Sequence, residues 1–195
     1  MTTRDETVIA ATRHWLELAV IGLNLCPYAR TPYQEDRVRY IVSAATTPEA
    51  LLQALADELQ WLAAADERDA ETTLLIHPQV LQDFFEYNDF LELAEALLEE
   101  LGLGGVLQVA SFHPQYQFAG TDTADVTNCT NRSPYPMLHL LRESSITRAV
   151  DSHPDTTRIY EANIDTLRRL GHAGWKRLGV GAPRSKSPWG APEED

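Results

Sequence analysis

Two histidines, each followed by a proline, are the residues best suited to chemistry in this sequence. His77 ends the apolar stretch LLIH, and His113 ends the stretch ASFH. Imidazole transfers protons near neutral pH and ligates metals. If both stretches are parallel strands, their carboxyl ends lie where open α/β sheets bind ligands. We therefore predict catalytic roles for His113 and His77. The alternative is that each proline ends a strand and each histidine caps a carbonyl.

The segment 115–132, directly after the second histidine, has neither helical nor strand periodicity. Loops of this length in a compact domain are usually functional or disordered, and Tyr116 and Cys129 give this one apolar anchors. We predict a lid or binding loop rather than a packed structural loop. Asp122 and Asp125 are further candidates for orienting groups or ligands within it.

The end of this loop reads NCTNRSP and carries a candidate anion site. Ser133 can cap a helix, and Pro134 has the φ angle of a first helical residue. Free backbone N–H groups and the positive end of the helix dipole would then lie beside Arg132, which suits a carboxylate or phosphate. The alternative is a plain helix cap with Arg132 paired to a carboxylate. The predicted ligand-binding residues are Arg132, Ser133, Asn131, Asn128 and Tyr116.

The two cysteines, Cys26 and Cys129, are too few for a disulfide framework. Cys26 follows the first predicted helix, whose dipole raises the pKa of a thiol at its carboxyl end, so a structural cysteine is favoured over a catalytic nucleophile. Cys129 lies nearer the predicted site and with His113 could ligate a divalent metal. No CxxC or HxxxH spacing indicates zinc, and no nucleotide-binding motif is present, so the cofactor stays open.

The elements that must position these residues follow from periodicity and from helix-end signals. Alternation of strand and helix at these spacings predicts two βαβ crossovers and a small, mainly parallel sheet of three or more strands, flanked by helices. The predicted strands are 37–45, 72–77 and 106–112. The predicted helices are 8–25, 46–62 with Thr46 and Glu49 as a capping box, 89–101, 133–150 and 157–170.

The amino-acid composition limits the fold class, the location and the partners that we expect for this protein. With 195 residues, 44% hydrophobic and 23% charged, we predict a single α/β domain over residues 5–170 and a flexible tail rich in glycine, proline and basic residues over 171–195. No apolar run reaches the roughly 20 residues that span a bilayer, and no secretory signal is recognisable, so we expect a cytoplasmic protein without membrane contact. The net charge of −13 disfavours nucleic acid as a partner.

Three short strings in the chain together resemble a known protein family. NLCPYA at 24–29, SFHP at 111–114 and TNRSPYP at 130–136 resemble a family termed domain of unknown function 1415. The similarity covers roughly residues 10–170. The family has no assigned activity, so the resemblance implies neither reaction nor substrate. It marks the His113 loop, Arg132 and Cys26 as characteristic, which strengthens the case for a role of Cys26.

These residues together predict an enzyme acting on a small anionic metabolite, by hydrolysis or proton transfer. His113 would be the general base or metal ligand, His77 a second polar group, and Arg132 the anchor of the substrate. One alternative is a non-catalytic protein that binds an anion or small ligand. Another is a protein-interaction module that uses an acidic helical face, formed by Glu92, Glu95 and Glu99. The oligomeric state stays open.

Overall fold

A computed structural model describes residues 2–152 and 156–181 of the chain. The chain begins with helix α1, Thr3–Trp15, and continues without interruption as a π-helical segment, Leu16–Ile21. The first predicted helix is therefore present, although it begins and ends earlier than 8–25. A turn that contains Cys26 follows it.

The first predicted βαβ crossover is present. Strand β1, Val38–Val42, and strand β2, Thr72–Ile76, pair in parallel, and helix α3, Pro48–Ala64, connects them. Thr47 caps α3 by accepting from the backbone N–H of Ala50, so the cap lies one residue later than the predicted Thr46. A short helix α2, which the sequence analysis did not predict, precedes β1. Helix α2 spans Arg30–Gln34.

Helix α4, Phe84–Glu100, and strand β3, Leu107–Phe112, follow β2. The helix begins earlier than the predicted residue 89. The cause is Asp83, whose carboxylate accepts hydrogen bonds from two backbone N–H groups of the first turn. This shift places the amino end of α4 close in sequence to the carboxyl end of β2.

The helix predicted over 133–150 is wrong in its first half. Met137–Arg142 form strand β4, and only Glu143–Ser152 are helical, as α5. The sheet order is β1-β2-β4-β3, and β4 runs antiparallel to both of its neighbours. Leucine and methionine favour helix locally, but pairing on both sides gives the β4 backbone partners along its whole length and overrides that preference. The sheet is therefore mixed rather than mainly parallel, within a single α/β domain.

The two faces of the sheet are covered by different elements. Leu75 of β2 and Leu138 of β4 face α3 and α4 in the larger apolar cluster. Their sequence neighbours Leu74 and Met137 face α1 in a second cluster. This alternation is the period of two expected of a strand that is buried on both faces.

Helix α6, Thr156–Leu178, has a kink at Gly171, whose φ of 64° lies in the left-handed region. The segment predicted as a tail, 171–195, begins inside this helix. Val180 is buried against the cluster that contains α1, and residues 182–195 lie outside the described residues. No helix in the described part of the chain is long and apolar enough to cross a membrane.

Arg142 at the end of β4 provides a test of this topology. Its side chain is buried and donates to the carbonyl oxygens of Ala65 and Ala70, at the end of α3 and before β2. Replacing it by Arg142→Met leaves both carbonyls without that donor, so we expect the free energy of unfolding in urea to fall by about 3 kcal/mol.

The control for this variant is Arg148→Met, which removes an exposed ion pair with Glu67. Its loss should be under about 1 kcal/mol. Equal losses in the two variants would show that Arg142 does not join β4 to the chain between α3 and β2.

Candidate functional site

His113 directly follows β3, and its side chain is fully buried. The backbone N–H of Gln115 donates to Nδ1 at 3.0 Å, so Nδ1 carries the lone pair. The proton therefore lies on Nε2, which donates to the carbonyl oxygen of Leu81 at 3.2 Å. Burial lowers the pKa of His113 and favours this neutral form. Both ring nitrogens are thus engaged with backbone groups.

His77 directly follows β2 and is also fully buried. Its Nδ1 donates to the carbonyl oxygen of Val80 at 3.1 Å. Its Nε2 has no hydrogen-bond partner among the residues that the structure describes. Burial lowers the pKa of His77 to about 4, so the ring is neutral at pH 7.

The two histidines lie at the same end of the sheet, on strands that β4 separates. Tyr87 of α4 fills the space between them, with its ring centroid 5.8 Å from that of His77 and 5.0 Å from that of His113. The Tyr87 hydroxyl donates to the carbonyl of Met137 and accepts from the N–H of Phe112. An aromatic residue bound to the sheet backbone therefore separates the two imidazoles.

The loop after β3 is held together by Asn128, whose side chain is fully buried. The amide oxygen accepts from the Phe118 backbone N–H and from the Thr121 hydroxyl. The amide nitrogen donates to the carbonyl of Asp122. Asn128, predicted to bind a ligand, is thus bonded within its own loop.

Two further predicted ligand-binding residues are also bonded to the fold. Asn131 donates to the carbonyl of Ser111 in β3, and Ser133 donates to the carbonyl of Tyr135. The helix amino end predicted at Ser133 and Pro134 is wrong, because strand β4 follows them. An anion at this place would have no helix dipole to bind.

Arg132 lies beneath the loop and holds two of its carbonyl groups. Nε donates to Tyr116 at 3.1 Å, and Nη2 donates to Thr123 at 2.7 Å. The Arg132 carbonyl accepts from the indole N–H of Trp15 at 2.8 Å. None of the carboxylates in ranges 2–152 and 156–181 forms an ion pair with Arg132. The Arg132 guanidinium therefore has no ion-pair partner among these residues.

A cavity of about 320 Å³ lies beside this arginine. Its volume is at the lower end of the range of small-ligand sites. One wall is the amino end of α4, and the other is the loop after β3 with Arg132. The lining residues are Asp83, Phe84, Phe85, Pro114, Gln115, Gln117, Thr123 and Arg132.

The His113 ring joins the two walls of this cavity. Leu81, which precedes the α4 wall, accepts from one ring nitrogen, and Gln115 of the loop wall donates to the other. The Phe84 ring also lies 5.5 Å from the His113 ring and 5.2 Å from the Tyr116 ring. Tyr116, predicted to bind a ligand, therefore packs against a lining residue and contributes its carbonyl to Arg132.

The two cysteines are embedded in apolar surroundings. Cys129 is buried with Leu25 and Leu167, and this burial raises the pKa of its thiol, which Arg132 lowers in part. Cys26 is half-buried in the cluster that contains α1, and burial raises its thiol pKa as well. Such thiols are poor nucleophiles at neutral pH.

Among the described residues, no third side chain joins the predicted metal ligands His113 and Cys129 to form a metal site. In the described portion of the chain, no three His, Cys, Asp or Glu side chains are placed to hold a metal ion. In addition, both nitrogens of His113 are bonded to backbone groups. A metal at this place stays a prediction.

The sequence analysis missed the α4 wall of the cavity. Asp83 is followed three residues later by Glu86, which is a helix-start signature. Using that signal would have placed the amino end of α4, with Phe84 and Phe85, beside the end of β2. Gln117 and Thr123 lie within the predicted binding loop but carried no signal of their own.

Comparison with known proteins identifies a family whose function is unknown. The sequence model of the family described as "Protein of unknown function (DUF1415)" matches residues 7–177. The matched region includes both walls of the cavity and confirms the resemblance drawn from the three strings. No curated protein and no solved structure matches the chain.

His77 links the geometry of the site to the pH dependence of stability. Its folded-state pKa is about 4, whereas the ordinary value is 6.5. Between these values the unfolded chain binds more protons than the folded one, so the free energy of unfolding falls as the pH is lowered from about 6.5 to about 4. This single group accounts for a loss of about 3 kcal/mol.

The variant His77→Asn keeps a donor for Val80 and does not titrate. Over this pH range, its free energy of unfolding should therefore fall by about 3 kcal/mol less than that of the wild type, by urea denaturation at each pH. His14→Asn, which replaces an exposed histidine, is the control and should follow the wild type. Parallel curves for wild type and His77→Asn would contradict the buried neutral state of His77.

Proposed function

The chain belongs to the DUF1415 family. We propose that it binds a small carboxylate ligand in the cavity beside Arg132. One observation carries this proposal. The guanidinium of Arg132 contributes to the cavity wall and is fixed by two backbone carbonyls, without a carboxylate partner among the described residues. A bound carboxylate would form the ion pair that the Arg132 guanidinium lacks among these residues.

The geometry of the arginine suits this ligand. A guanidinium presents several N–H groups in one plane, which matches the two oxygens of a carboxylate. The bonds to Tyr116 and Thr123 hold the side chain in place, so binding requires little further ordering of it. The half-buried position of Arg132 also weakens solvent screening of its charge.

Two glutamines contribute neutral polar groups to the cavity. The Gln115 side chain forms no hydrogen bond with the described residues, and only its backbone N–H is used, on His113. The Gln117 amide donates to the carbonyl of Thr121 and keeps its oxygen as an acceptor. These two glutamines provide orienting contacts next to the arginine.

Three of the lining residues are apolar. Phe84, Phe85 and Pro114 line the cavity, and Phe85 is 72% exposed, which is high for an aromatic side chain. A ligand that covers Phe85 would remove apolar surface from water. The favoured ligand therefore carries a carboxylate and an apolar group.

The geometry favours binding over the predicted catalysis. His113 has both nitrogens bonded to backbone groups, and the nitrogen of His77 without a partner belongs to a ring that does not line the cavity. The described lining residues include no histidine or cysteine, and their one carboxylate, Asp83, caps helix α4 through Oδ1. The acidic face with Glu92, Glu95 and Glu99 is exposed on α4, and its role as an interaction surface stays a separate prediction.

Benzoate tests the proposal, with benzamide as its uncharged analogue and titration calorimetry as the measurement. We expect one benzoate per chain and much weaker binding of benzamide. The variant Gln115→Glu adds a negative charge to the cavity and keeps the backbone N–H that donates to His113. It should weaken benzoate binding by about tenfold or more, because like charges in one pocket repel.

The matched control is Gln60→Glu, the same change at an exposed position of α3. It should leave benzoate affinity unchanged. If Gln60→Glu weakens benzoate binding as much as Gln115→Glu does, or if no carboxylate ligand binds at all, the cavity is not a carboxylate site and the proposal is wrong.

A further inference from the structure

The two charged side chains of the cavity point to a narrower class of ligand. We propose that the cavity binds a free α-amino acid in its zwitterionic form, with its carboxylate on Arg132 and its ammonium group on Asp83. This inference rests on the proposed binding function and adds the second charged contact.

Asp83 uses only one of its two carboxylate oxygens within the fold. Oδ1 accepts from the backbone N–H of Phe85 at 2.8 Å and from that of Glu86 at 3.1 Å. Oδ2 has no hydrogen-bond partner among the described residues, and Asp83 is exposed and lines the cavity. The cap therefore fixes the carboxylate and leaves one oxygen for a ligand.

Asp83 and Arg132 contribute opposite charges to the same cavity, but from opposite walls and without pairing. No ion pair within the described residues joins them. A ligand with only a carboxylate would be attracted by Arg132 and repelled by Asp83. A ligand with only an ammonium group would experience the reverse. A molecule that carries both groups is complementary to both walls.

The apolar lining indicates the side chain of this amino acid. Phe84, Phe85 and Pro114 lie in the same cavity, and Phe85 is largely exposed. Aromatic rings stack favourably on one another, in addition to the apolar area that they bury. A cavity of about 320 Å³ suits a single amino acid, and an aromatic or other apolar side chain fits this lining best.

The test compares three ligands by titration calorimetry. Phenylalanine carries both charged groups, 3-phenylpropanoate lacks the ammonium group, and phenethylamine lacks the carboxylate. For the wild type we expect phenylalanine to bind about tenfold or more tightly than either analogue, because each analogue leaves one wall charge without a partner.

The variant Asp83→Asn removes the charge and keeps an equally good helix cap. It should weaken phenylalanine binding by about tenfold, while 3-phenylpropanoate binds as tightly as to the wild type or more tightly. Asp83→Ser, a second uncharged cap, should shift the two affinities in the same directions. The thermal unfolding midpoint of each variant shows that the helix remains capped.

The outcomes separate this inference from the proposed function. If 3-phenylpropanoate binds the wild type as tightly as phenylalanine, or if both Asp83 variants change the two ligands alike, the amino-acid inference is wrong and carboxylate binding stands. If these ligands and benzoate all fail to bind, the proposed function is wrong as well.

Discussion

Two chain segments that are distant in sequence meet at one imidazole ring in this protein. His113 accepts a hydrogen bond from Gln115 on one side and donates one to Leu81 on the other, and burial keeps the ring neutral. Protonation of Nδ1 would remove the lone pair that accepts from Gln115. The distance between the cavity walls, and hence the relative placement of Asp83 and Arg132, depends on this neutral ring. In this arrangement the ring of His113 connects the two walls of the cavity through hydrogen bonds.

Strand β4 sets the distance between the ends of β2 and β3, the two strands that the histidines follow. Because β4 separates β2 from β3, the ends of these two strands are about 10 Å apart rather than adjacent. Tyr87 fills the buried part of that gap, and its hydroxyl bonds to backbone groups of β4 and β3. The amino end of α4 and the loop after β3 cover the outer part, where the cavity lies.

Much of the fold follows from local sequence signals, and the errors have physical causes. Strands β1, β2 and β3 and helices α3 and α4 follow from periodicity and helix-end residues. Strand β4 does not, because its leucines and methionine favour a helix and only pairing with two distant strands makes it extended. Arg132 was singled out from the sequence and lines the cavity, although the helix amino end that motivated its choice does not exist. The backbone partners of His113 carry no sequence signal at all.

A crystal structure of the protein grown with phenylalanine would show whether the two charged walls of the cavity hold an amino acid. We expect one phenylalanine in the cavity, with its carboxylate on Arg132, its ammonium group on the free oxygen of Asp83 and its ring against Phe85. Amino-acid binding between the two walls would be contradicted by an empty cavity in which Arg132 pairs directly with Asp83. It would also be contradicted by phenylalanine bound only elsewhere on the protein.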